Sequence, residues 1–453
     1  MKALFGTDGI RGEAGRFPLD AATVSIIGSS LARYLANEAG KRPAIVIGRD
    51  TRESGGWLER AVIQGLVAAG AECRSAGVIT TPGVAFLTRS LHADAGIVIS
   101  ASHNPYHDNG IKIFSPSGRK LDDSIERLIE SNVLSSSKQI VSQLPENLTV
   151  STPEAEADLQ QSYLTFLSDE IGKELSLTDL TIVVDCANGA SFALAPELFK
   201  RLGMRTIAIG NRPDGRNINQ NCGSLHIEAL QQRVVAEKAD LGVAFDGDAD
   251  RSLFVDNAGN FVDGDATLWV LANHLHARGQ LKDNLVVATV MSNIGLEIAL
   301  RSKGLRMVRT DVGDKYVLEE LLRRDASLGG EQSGHIIFPR LSLAGDGMIT
   351  ALSLLRALSE QARSLAELTA GFERFPQILV SVPVREKRPF AELPSVQRAI
   401  NETEEKLSDK GRLLLRYSGT EALARIMIEG ERQNEIESYA SKIAAAIRQE
   451  LGN

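Results

Sequence analysis

The chain has 453 residues, 43% of them hydrophobic and 24% charged, so it is long enough for about three domains with sizeable cores. Its formal net charge of −8 leaves no global positive field, which argues against nucleic acid or an anionic membrane surface as a partner. Its three isolated cysteines and the lack of any signal peptide or apolar run of roughly 18 residues predict a cytoplasmic protein without a disulfide framework or zinc cage.

The N-terminal segment Phe5–Gly12 carries three glycines at three-residue spacing around Arg11. It reads as a loop that lets the backbone approach a ligand closely, although it lacks the G-x-G-x-x-G spacing of a dinucleotide site. Hydrophobic periodicity then predicts regular elements: a helix over 21–39, a strand over 44–48, a helix over 56–69, a strand over 72–78, a helix from Pro82 and a buried strand over 95–99.

Ser102 follows the strand over 95–99, within the segment Ser100-Ala101-Ser102-His103-Asn104-Pro105. Open α/β sheets bind ligands at the carboxyl ends of their strands, which makes this serine a candidate nucleophile. A lone serine at such a junction more often satisfies only a local backbone group. The other motifs of the chain therefore decide its role.

Two later stretches repeat the same order of strand, helix, strand, helix and strand. One runs over 180–245 and ends in Asp246-Gly247-Asp248-Ala249-Asp250-Arg251, and the other runs over 284–329 and ends in Gly330-Glu331-Gln332-Ser333-Gly334-His335. Three such units predict three similar mixed α/β domains around a central cleft.

The last segment differs, because its elements predict a smaller C-terminal α+β domain: strands over 378–384, 413–416 and 424–429, a helix over 396–407 and a final amphipathic helix. Turn-rich or Pro-containing segments near residues 135–153, 257–260 and 375–376 separate the units. We predict domains over 1–152, 153–256, 257–372 and 373–453.

Asp246, Asp248 and Asp250 lie at a spacing of two residues between two apolar runs. Carboxylates this close repel and raise one another's pKa unless a cation lies between them. The loop does not fit an EF-hand, because Arg251 and Asn257 stand at the positions that need glycine and glutamate. The alternative is a solvated turn, but the apolar flanks favour a Mg²⁺ site.

Two more loops have groups suited to a phosphorylated sugar. Arg416-Tyr417-Ser418-Gly419-Thr420-Glu421, with Arg425 nearby, can offer backbone N–H groups and guanidinium groups to a phosphate. Gly330–His335 offers carboxylate, amide and hydroxyl groups to sugar hydroxyls, although a lone histidine such as His335 is more often a core residue. Together with Ser102 and the three aspartates, these loops match what phosphoryl transfer requires.

Taken in chain order, the four loops Ser100–Pro105, Asp246–Arg251, Gly330–His335 and Arg416–Glu421 resemble the signature loops of the α-D-phosphohexomutase superfamily and cover essentially the whole chain. Four further segments resemble the branch that acts on glucosamine phosphates: Phe5–Gly12, Met291–Glu297, Val312–Val317 and Phe375–Leu379. Two departures stand out. Ala422 stands where the superfamily usually has proline, and Lys315 replaces an arginine, which keeps the charge but loses the planar fork.

The resemblance implies roles for individual residues. Ser102 would carry a phosphate and hold Mg²⁺ with Asp246, Asp248 and Asp250. The residues implied near the reacting oxygens, including those that steer protons, are Arg11, His103, Lys112 and His335. Those implied to bind the substrate and its distal phosphate are Arg251, Asp314, Lys315, Glu331, Ser333, Arg416, Ser418, Gly419, Thr420 and Arg425.

The implied activity is isomerisation of glucosamine 6-phosphate and glucosamine 1-phosphate through a sugar 1,6-bisphosphate, which feeds the synthesis of UDP-N-acetylglucosamine, a cell-wall precursor. Glucosamine or glucose 1,6-bisphosphate would prime the enzyme, and the superfamily allows a homodimer. Three alternatives stay open: a phosphomannomutase or phosphoglucomutase, a sugar phosphatase, and a non-catalytic phosphosugar-binding protein. An intact serine with three intact aspartates disfavours the last of these.

Overall fold

The computed structural model describes residues 4–6, 8–135, 151–175, 177–418 and 421–452. These residues form two compact units. The first contains the described residues up to Val290 together with Val308–Thr369, and the second contains Met291–Met307 and the described residues from Ala370 onward. Within the described residues, no helix has the length and apolar character that crossing a bilayer requires.

The first sheet has six strands in the order β1-β2-β6-β5-β3-β4. Its strands are β1 (Phe5–Gly6), β2 (Gly9–Glu13), β3 (Ala44–Arg49), β4 (Glu72–Val78), β5 (Ala95–Ile99) and β6 (Asp108–Phe114). Its helices are α1 (Ala21–Ala39), α2 (Gly55–Ala68), α3 (Thr81–Ser90) and α4 (Asp123–Ser135). Strand β5 is parallel to β3 and antiparallel to β6, and all five of its residues are buried. Ser102, which follows the carboxyl end of β5, therefore lies at the middle of the sheet edge.

The N-terminal segment is a β-hairpin, not the predicted loop, because β1 pairs with β2 and β2 pairs with β6. Gly9 has φ of 79°, and a Cβ atom there would lie 2.4 Å from the Ile111 carbonyl oxygen. Glycine is thus required for the close approach of the hairpin to β6. The glycine pattern was visible in the sequence, but the strand that it packs against was not predicted.

The second sheet has five strands in the order β11-β10-β9-β7-β8. Its strands are β7 (Thr181–Asp185), β8 (Arg205–Ile209), β9 (Leu241–Phe245), β10 (Ser252–Asp256) and β11 (Phe261–Val262). The helices of this region are α5 (Pro153–Thr165), which continues as a π-helical turn over Phe166–Ile171, α6 (Leu194–Arg201) and α7 (Glu228–Glu237). Every residue of β9 and β10 is buried, and the two strands are antiparallel. The three aspartates lie in the tight connection between them.

The third sheet has four strands in the order β13-β12-β14-β15. Its strands are β12 (Leu285–Thr289), β13 (Arg306–Thr310), β14 (Leu328–Gly330) and β15 (Ile336–Ile337). The helices along this stretch of the chain are α8 (Gly264–Ala277), α9 (Ile294–Ser302), α10 (Asp314–Arg324), α11 (Gly347–Gln361) and α12 (Leu365–Thr369). Helices α8 and α11 were not predicted. Each buries ten residues, so neither carries the one-sided apolar stripe that marks an amphipathic helix.

The second unit contains an antiparallel sheet of three strands in the order β16-β18-β17. Its strands are β16 (Gln377–Pro383), β17 (Gly411–Tyr417) and β18 (Leu423–Gly430), and its helices are α13 (Pro394–Leu407) and α14 (Gln433–Leu451). Ile436, Ile443 and Ile447 of α14 are buried, so the predicted apolar stripe is core. Helix α9 belongs to this unit, where the buried Glu429 carboxylate accepts from the Ile294 N–H at 3.2 Å.

Three mixed α/β domains followed by a smaller α+β domain are confirmed as the architecture. All three predicted series of strand, helix, strand, helix and strand are present. The residue numbers at which one domain gives way to the next stay predictions.

Candidate active site

Ser102 is fully buried and lies three residues beyond the end of β5, at the carboxyl edge of the first sheet. Its φ of 52° lies in the left-handed region, a conformation that costs a non-glycine residue of order 1 kcal/mol and that clusters at functional sites. Its hydroxyl donates to Asp246 Oδ2 at 2.6 Å and lies 3.3 Å from His103 Nδ1. The serine loop and the aspartate loop are thus joined at the oxygen that would carry the phosphate.

Side chains from three segments hold the backbone around Ser102. Its N–H donates to Ser100 Oγ at 2.9 Å, and that hydroxyl donates to Asp50 Oδ2 at 2.6 Å. The carbonyl oxygen of Ser102 accepts from Arg52 and from Asn219, each at 2.9 Å. Both Asp50 and Arg52 are buried, and they form an ion pair at 2.8 Å. These contacts fix the strained serine in one position.

Asp50, Arg52 and Asn219 were not among the predicted site residues. A signal for the first two was present, because they directly follow the predicted strand over 44–48 and therefore lie at the same sheet edge as Ser102. No comparable signal marks Asn219, which lies in an irregular segment between β8 and α7. Its role depends on the approach of the second sheet to the first.

Asp246, Asp248 and Asp250 are buried and bring one carboxylate oxygen each within 4.8 Å of the others. Within the described part of the chain, Asp248 Oδ1 and Asp250 Oδ1 have no hydrogen-bond partner. A buried carboxylate oxygen without a donor is costly, and three oxygens gathered in this way fit a hard divalent cation such as Mg²⁺. Gly247 permits the arrangement, because a Cβ atom there would lie 2.5 Å from the Ser102 carbonyl oxygen.

Lys112 on β6 provides positive charge behind the three aspartates. Its Nζ lies 2.9 Å from Asp248 Oδ2, 3.2 Å from Asp250 Oδ2 and 3.1 Å from Asp8 Oδ2. Burial disfavours the charged lysine, but these carboxylates outweigh it and raise the pKa of Lys112 well above its usual value. Lys112 therefore stays cationic. Thr81 also donates to Asp248 Oδ2, at 2.6 Å.

The three aspartates differ in their ionisation. Burial, followed by repulsion from Asp250 and Asp248, raises the pKa of Asp246 well above its usual value. Burial acts in the same direction on Asp250, but Lys112, His335 and Arg251 outweigh it and lower the pKa of Asp250 to about 2. The repulsion between carboxylates that the sequence predicts thus raises the pKa of Asp246, the aspartate that contacts Ser102.

His103 is a neutral imidazole at physiological pH. Burial and the positive charges of Arg251 and Arg11 lower the pKa of His103 to about 4, despite the neighbouring aspartates. Its Nδ1 lies 3.2 Å from Arg251 Nη1. Arg11 reaches the same place from β2, where it donates to the Ala101 carbonyl oxygen at 2.9 Å and pairs with Asp8.

The Gly330–His335 loop begins at the carboxyl end of β14. Glu331 Oε1 accepts from the Gly313 N–H at 3.1 Å, and Ser333 Oγ lies 3.3 Å from Glu331 Oε2. Nδ1 of the buried His335 lies 3.8 Å from Asp250 Oδ2, while its Nε2 has no hydrogen-bond partner among the residues that the structure describes. The loop thus presents a carboxylate, a hydroxyl and an imidazole beside the aspartates.

A cavity of about 450 Å³, the candidate substrate cavity, opens beside these groups, and its size suits a small-molecule ligand. Many predicted site residues line it, namely Arg11, His103, Arg251, Asp314, Glu331 and His335. Lys112 and Lys315 instead line a neighbouring cavity of about 350 Å³, which shares Asp250, Asp314 and His335 with the first. Nζ of Lys315 donates to Asp123 Oδ1, and whether it also contacts substrate stays a prediction.

Three of the predicted phosphate-binding residues are described, all in the second unit: Arg416 lies on β17, Ser418 directly after it and Arg425 on β18. Arg416 and Arg425 are opposite each other in the register of the two strands, a placement in which like charges repel. Arg425 pairs with Glu421 at 2.8 Å, and Lys387, a residue that was not predicted, donates to the Ser418 carbonyl oxygen at 2.6 Å. The predicted residues Gly419 and Thr420 lie outside the described residues.

Four domain families match the chain in sequence. They are the phosphoglucomutase/phosphomannomutase alpha/beta/alpha domains I, II and III, over residues 2–140, 161–259 and 263–375, and the C-terminal domain of the same family, over residues 379–446. The phosphoglucosamine mutase of Solibacter usitatus is 52% identical, with coverage of 100% of this chain and 99% of the relative. That of Citrifermentans bemidjiense is 47% identical, with the same coverage.

Solved structures of lower identity share the fold. A putative phosphomannomutase from Thermus thermophilus matches with a TM-score of 0.78 at 22% identity, over 99% of this chain and all of that one. N-acetylphosphoglucosamine mutase from Aspergillus fumigatus, solved with GlcNAc-6P and magnesium, matches with a TM-score of 0.63 at 20% identity, over 99% and 96% of the two chains. At these identities the likeness concerns the fold alone.

Proposed function

Because the chain belongs to the phosphoglucomutase/phosphomannomutase family, we propose that it is a phosphoglucosamine mutase, an isomerase that interconverts glucosamine 6-phosphate and glucosamine 1-phosphate. The observation that carries this proposal is the contact of Ser102 Oγ with Asp246, at 2.6 Å, inside a buried cluster of three aspartates. The substrate assignment draws its support from relatives of that name at 44–52% identity over the full chain.

Ser102 is the proposed carrier of the transferred phosphoryl group. In the first half-reaction its Oγ–P bond breaks as an O–P bond forms to the free hydroxyl of the sugar monophosphate, whose proton leaves to a base. In the second half-reaction the other O–P bond of the sugar 1,6-bisphosphate breaks as an O–P bond forms to Ser102 Oγ, and the released sugar oxygen takes up a proton. A fixed, buried oxygen supports this assignment, because phosphoryl transfer depends on positioning and on stabilising charge.

Mg²⁺ is the proposed metal, held by Asp246, Asp248 and Asp250 together with the phosphorylated Ser102. The carboxylate oxygens of Asp248 and Asp250 that lack a hydrogen-bond partner within the described residues support it. The raised pKa of Asp246 supports it as well, because the protein alone does not stabilise the charged carboxylate and a cation would. When bound, the metal would stabilise charge on the transferring phosphoryl group. Lys112 remains cationic beside it and contributes to the same stabilisation.

The other groups fall into three proposed sets. Glu331 and Ser333 bind sugar hydroxyls, because the Glu331 carboxylate lines the cavity without a cation on it within the described chain and the Ser333 hydroxyl lies 3.3 Å from that carboxylate. Arg11, His103 and His335 act near the reacting oxygens, where neutral His103 can accept a proton that cationic Lys112 cannot. The cationic loop of the second unit, with Arg416, Ser418 and Arg425, binds the distal phosphate.

Three further properties of the working enzyme belong to the proposal. We place it in the cytoplasm, because all three cysteines are free thiols. A sugar 1,6-bisphosphate, of glucosamine or glucose, would prime it by phosphorylating Ser102. A homodimer is expected by analogy with the superfamily.

The test is an assay of the Mg²⁺-loaded phosphoprotein with four substrates: glucosamine, N-acetylglucosamine, glucose and mannose 6-phosphates. We expect the largest kcat/KM with glucosamine 6-phosphate and recovery of the 1-phosphate as product. A larger kcat/KM with glucose or mannose 6-phosphate would reassign the substrate, and release of inorganic phosphate without 1-phosphate would make the protein a phosphatase. Intact-mass spectrometry monitors the phosphate on Ser102 throughout.

A further inference from the structure

We propose that Lys120, which none of the sequence motifs includes, is a positioning residue for this reaction, and the proposal rests on the function assigned above. Lys120 follows β6 and bridges two carboxylates that line the substrate cavity. Its Nζ pairs with Asp8 Oδ1 of the N-terminal hairpin and lies 2.6 Å from Asp314 Oδ2 at the first turn of α10. One ammonium group therefore connects the hairpin of the first sheet to a helix of the third.

Lys120 acts from outside the substrate cavity. Asp8 and Asp314 line that cavity, whereas Lys120 lines the neighbouring one. Its side chain is 22% exposed, and those of Asp8 and Asp314 are 25% and 20% exposed. The bridge is thus largely shielded from water, where ionic contacts are screened less than on the surface. A residue that does not contact the substrate can still fix the positions of the side chains that bind the substrate.

On one side, the bridge extends to the predicted sugar loop. Asp314 is the first residue of α10, and the preceding residue, Gly313, donates its N–H to Glu331 Oε1 at 3.1 Å. Fixing Asp314 therefore fixes the donor that orients the Glu331 carboxylate. Asp314 has no other cation within ion-pair distance in the described chain, so this side depends on Lys120.

On the other side, the bridge extends to the serine loop. Asp8 pairs with Arg11, and Arg11 donates to the Ala101 carbonyl oxygen at 2.9 Å, one residue before Ser102. Asp8 also lies 3.1 Å from Lys112 and so keeps two cations without Lys120. Loss of Lys120 should therefore disturb the sugar-loop side more than the serine side, because only Asp314 is left without a counter-charge.

A second ion pair between the same regions provides a matched control. Lys315 Nζ contacts Asp123 Oδ1, which joins α10 to the start of α4, but the Asp123 side chain is 58% exposed. Exposed ion pairs contribute little, about 0–1 kcal/mol. Asp123→Asn removes this exposed contact without touching the substrate cavity.

The experiment compares Lys120→Met, Lys120→Arg and Asp123→Asn with the wild type in steady-state kinetics with glucosamine 6-phosphate. For Lys120→Met we expect KM to rise about 10-fold while kcat falls less than 3-fold, since binding of the sugar is disturbed more than the serine. Lys120→Arg should recover at least half of the loss, and Asp123→Asn should stay within 2-fold of the wild type. Equal falls in kcat and kcat/KM for Lys120→Met would overturn the proposal.

Hydrogen exchange of the same variants tests the Lys120 bridge by a measurement that does not depend on enzyme activity. In Lys120→Met we expect the rate of hydrogen exchange to increase, relative to the wild type, more in residues 312–316 than in residues 8–12. Exchange rates in the other strands should equal those of the wild type. Unchanged exchange in 312–316 would overturn the proposal even if KM rises. If wild-type protein isomerises none of the sugar phosphates, the proposed function fails while this measurement still decides whether Lys120 positions α10.

Discussion

The serine–aspartate region and the Arg416–Arg425 loop both offer groups suited to a phosphorylated sugar, but they are built in opposite ways. Ser102, Asp246 and Asp248 are fully buried, and side chains from several segments hold them. Arg416 is exposed, and Arg425 contacts a carboxylate from its own loop. The first region is one in which charges are fixed before the substrate arrives.

The difference indicates a division of labour. Buried, fixed charges stabilise a transition state because they need no reorganisation and little water screens them. Exposed guanidinium groups recognise a phosphate by charge and geometry, and salt weakens them. Substitutions in the first region should therefore lower kcat, and substitutions in the second should mainly raise KM. The predictions below test this contrast, from the largest expected effect to the smallest.

The largest effect is expected for Ser102→Ala. Loss of the nucleophilic oxygen should lower kcat by at least about 10⁴-fold, because the remaining groups cannot carry the phosphoryl group. Intact-mass spectrometry should also find no added phosphate. Ser115→Ala, in a surface turn, is the control and should keep full activity. If the Ser102→Ala protein were active, Ser102 would not be the nucleophile, and the proposed contrast between the two regions would be wrong.

Asp248→Asn should lower kcat on the order of 10²–10³-fold and weaken Mg²⁺ binding, since it removes one charged ligand at nearly constant volume. Titration of Mg²⁺ by calorimetry and by activity measures both effects. Asp158→Asn, at an exposed position of α5, serves as the control. If excess Mg²⁺ restored full kcat and the metal affinity were unchanged, the proposed metal site would be wrong.

We also expect the free energy of unfolding to depend on pH through the buried carboxylate of Asp346. This carboxylate caps α11 and accepts from Tyr163 at 2.7 Å, and burial raises its pKa to about 6. Because the folded state binds the proton more tightly than the unfolded state, stability falls as pH rises from about 4 to about 6, by about 3 kcal/mol in total.

Urea unfolding at pH values between 4 and 8 measures this dependence in wild type and in Asp346→Asn. The variant cannot titrate, so the difference between the two free energies of unfolding should change across pH 4–6 and be constant above pH 7. A difference independent of pH would mean that Asp346 keeps an ordinary pKa. We expect no group of the Arg416–Arg425 loop to make the free energy of unfolding depend on pH in this range.

The smallest effect is expected in the second region. Arg425→Gln should raise KM for the sugar phosphate about 10-fold with kcat changed little, because one charge-assisted hydrogen bond is lost. The KM of the wild type should rise with ionic strength, and that of the variant should rise less steeply. Arg432→Gln removes an exposed arginine of the same unit and should have no effect. A fall in kcat with unchanged KM would place Arg425 in the chemistry.

The sequence by itself determined the order of elements and the candidate loops. Periodicity located strands such as β5 and β9, because buried strands are short, continuous apolar runs bounded by polar turns. The loops that follow them carry Ser102 and the three aspartates, since a strand's carboxyl end is where open α/β sheets present ligands. Helices α8 and α11 escaped prediction because burial on nearly all sides removes the amphipathic signal.

Only the tertiary structure decided which side chains support the site. Asn219 on Ser102, and Lys120 between Asp8 and Asp314, connect residues that are separated by more than a hundred positions along the chain. Such contacts depend on how one sheet approaches another, and no local pattern encodes that distance. The pKa values of Asp246 and Asp250, raised in one and lowered in the other, have the same origin, because burial and neighbouring charges exist only in the folded protein.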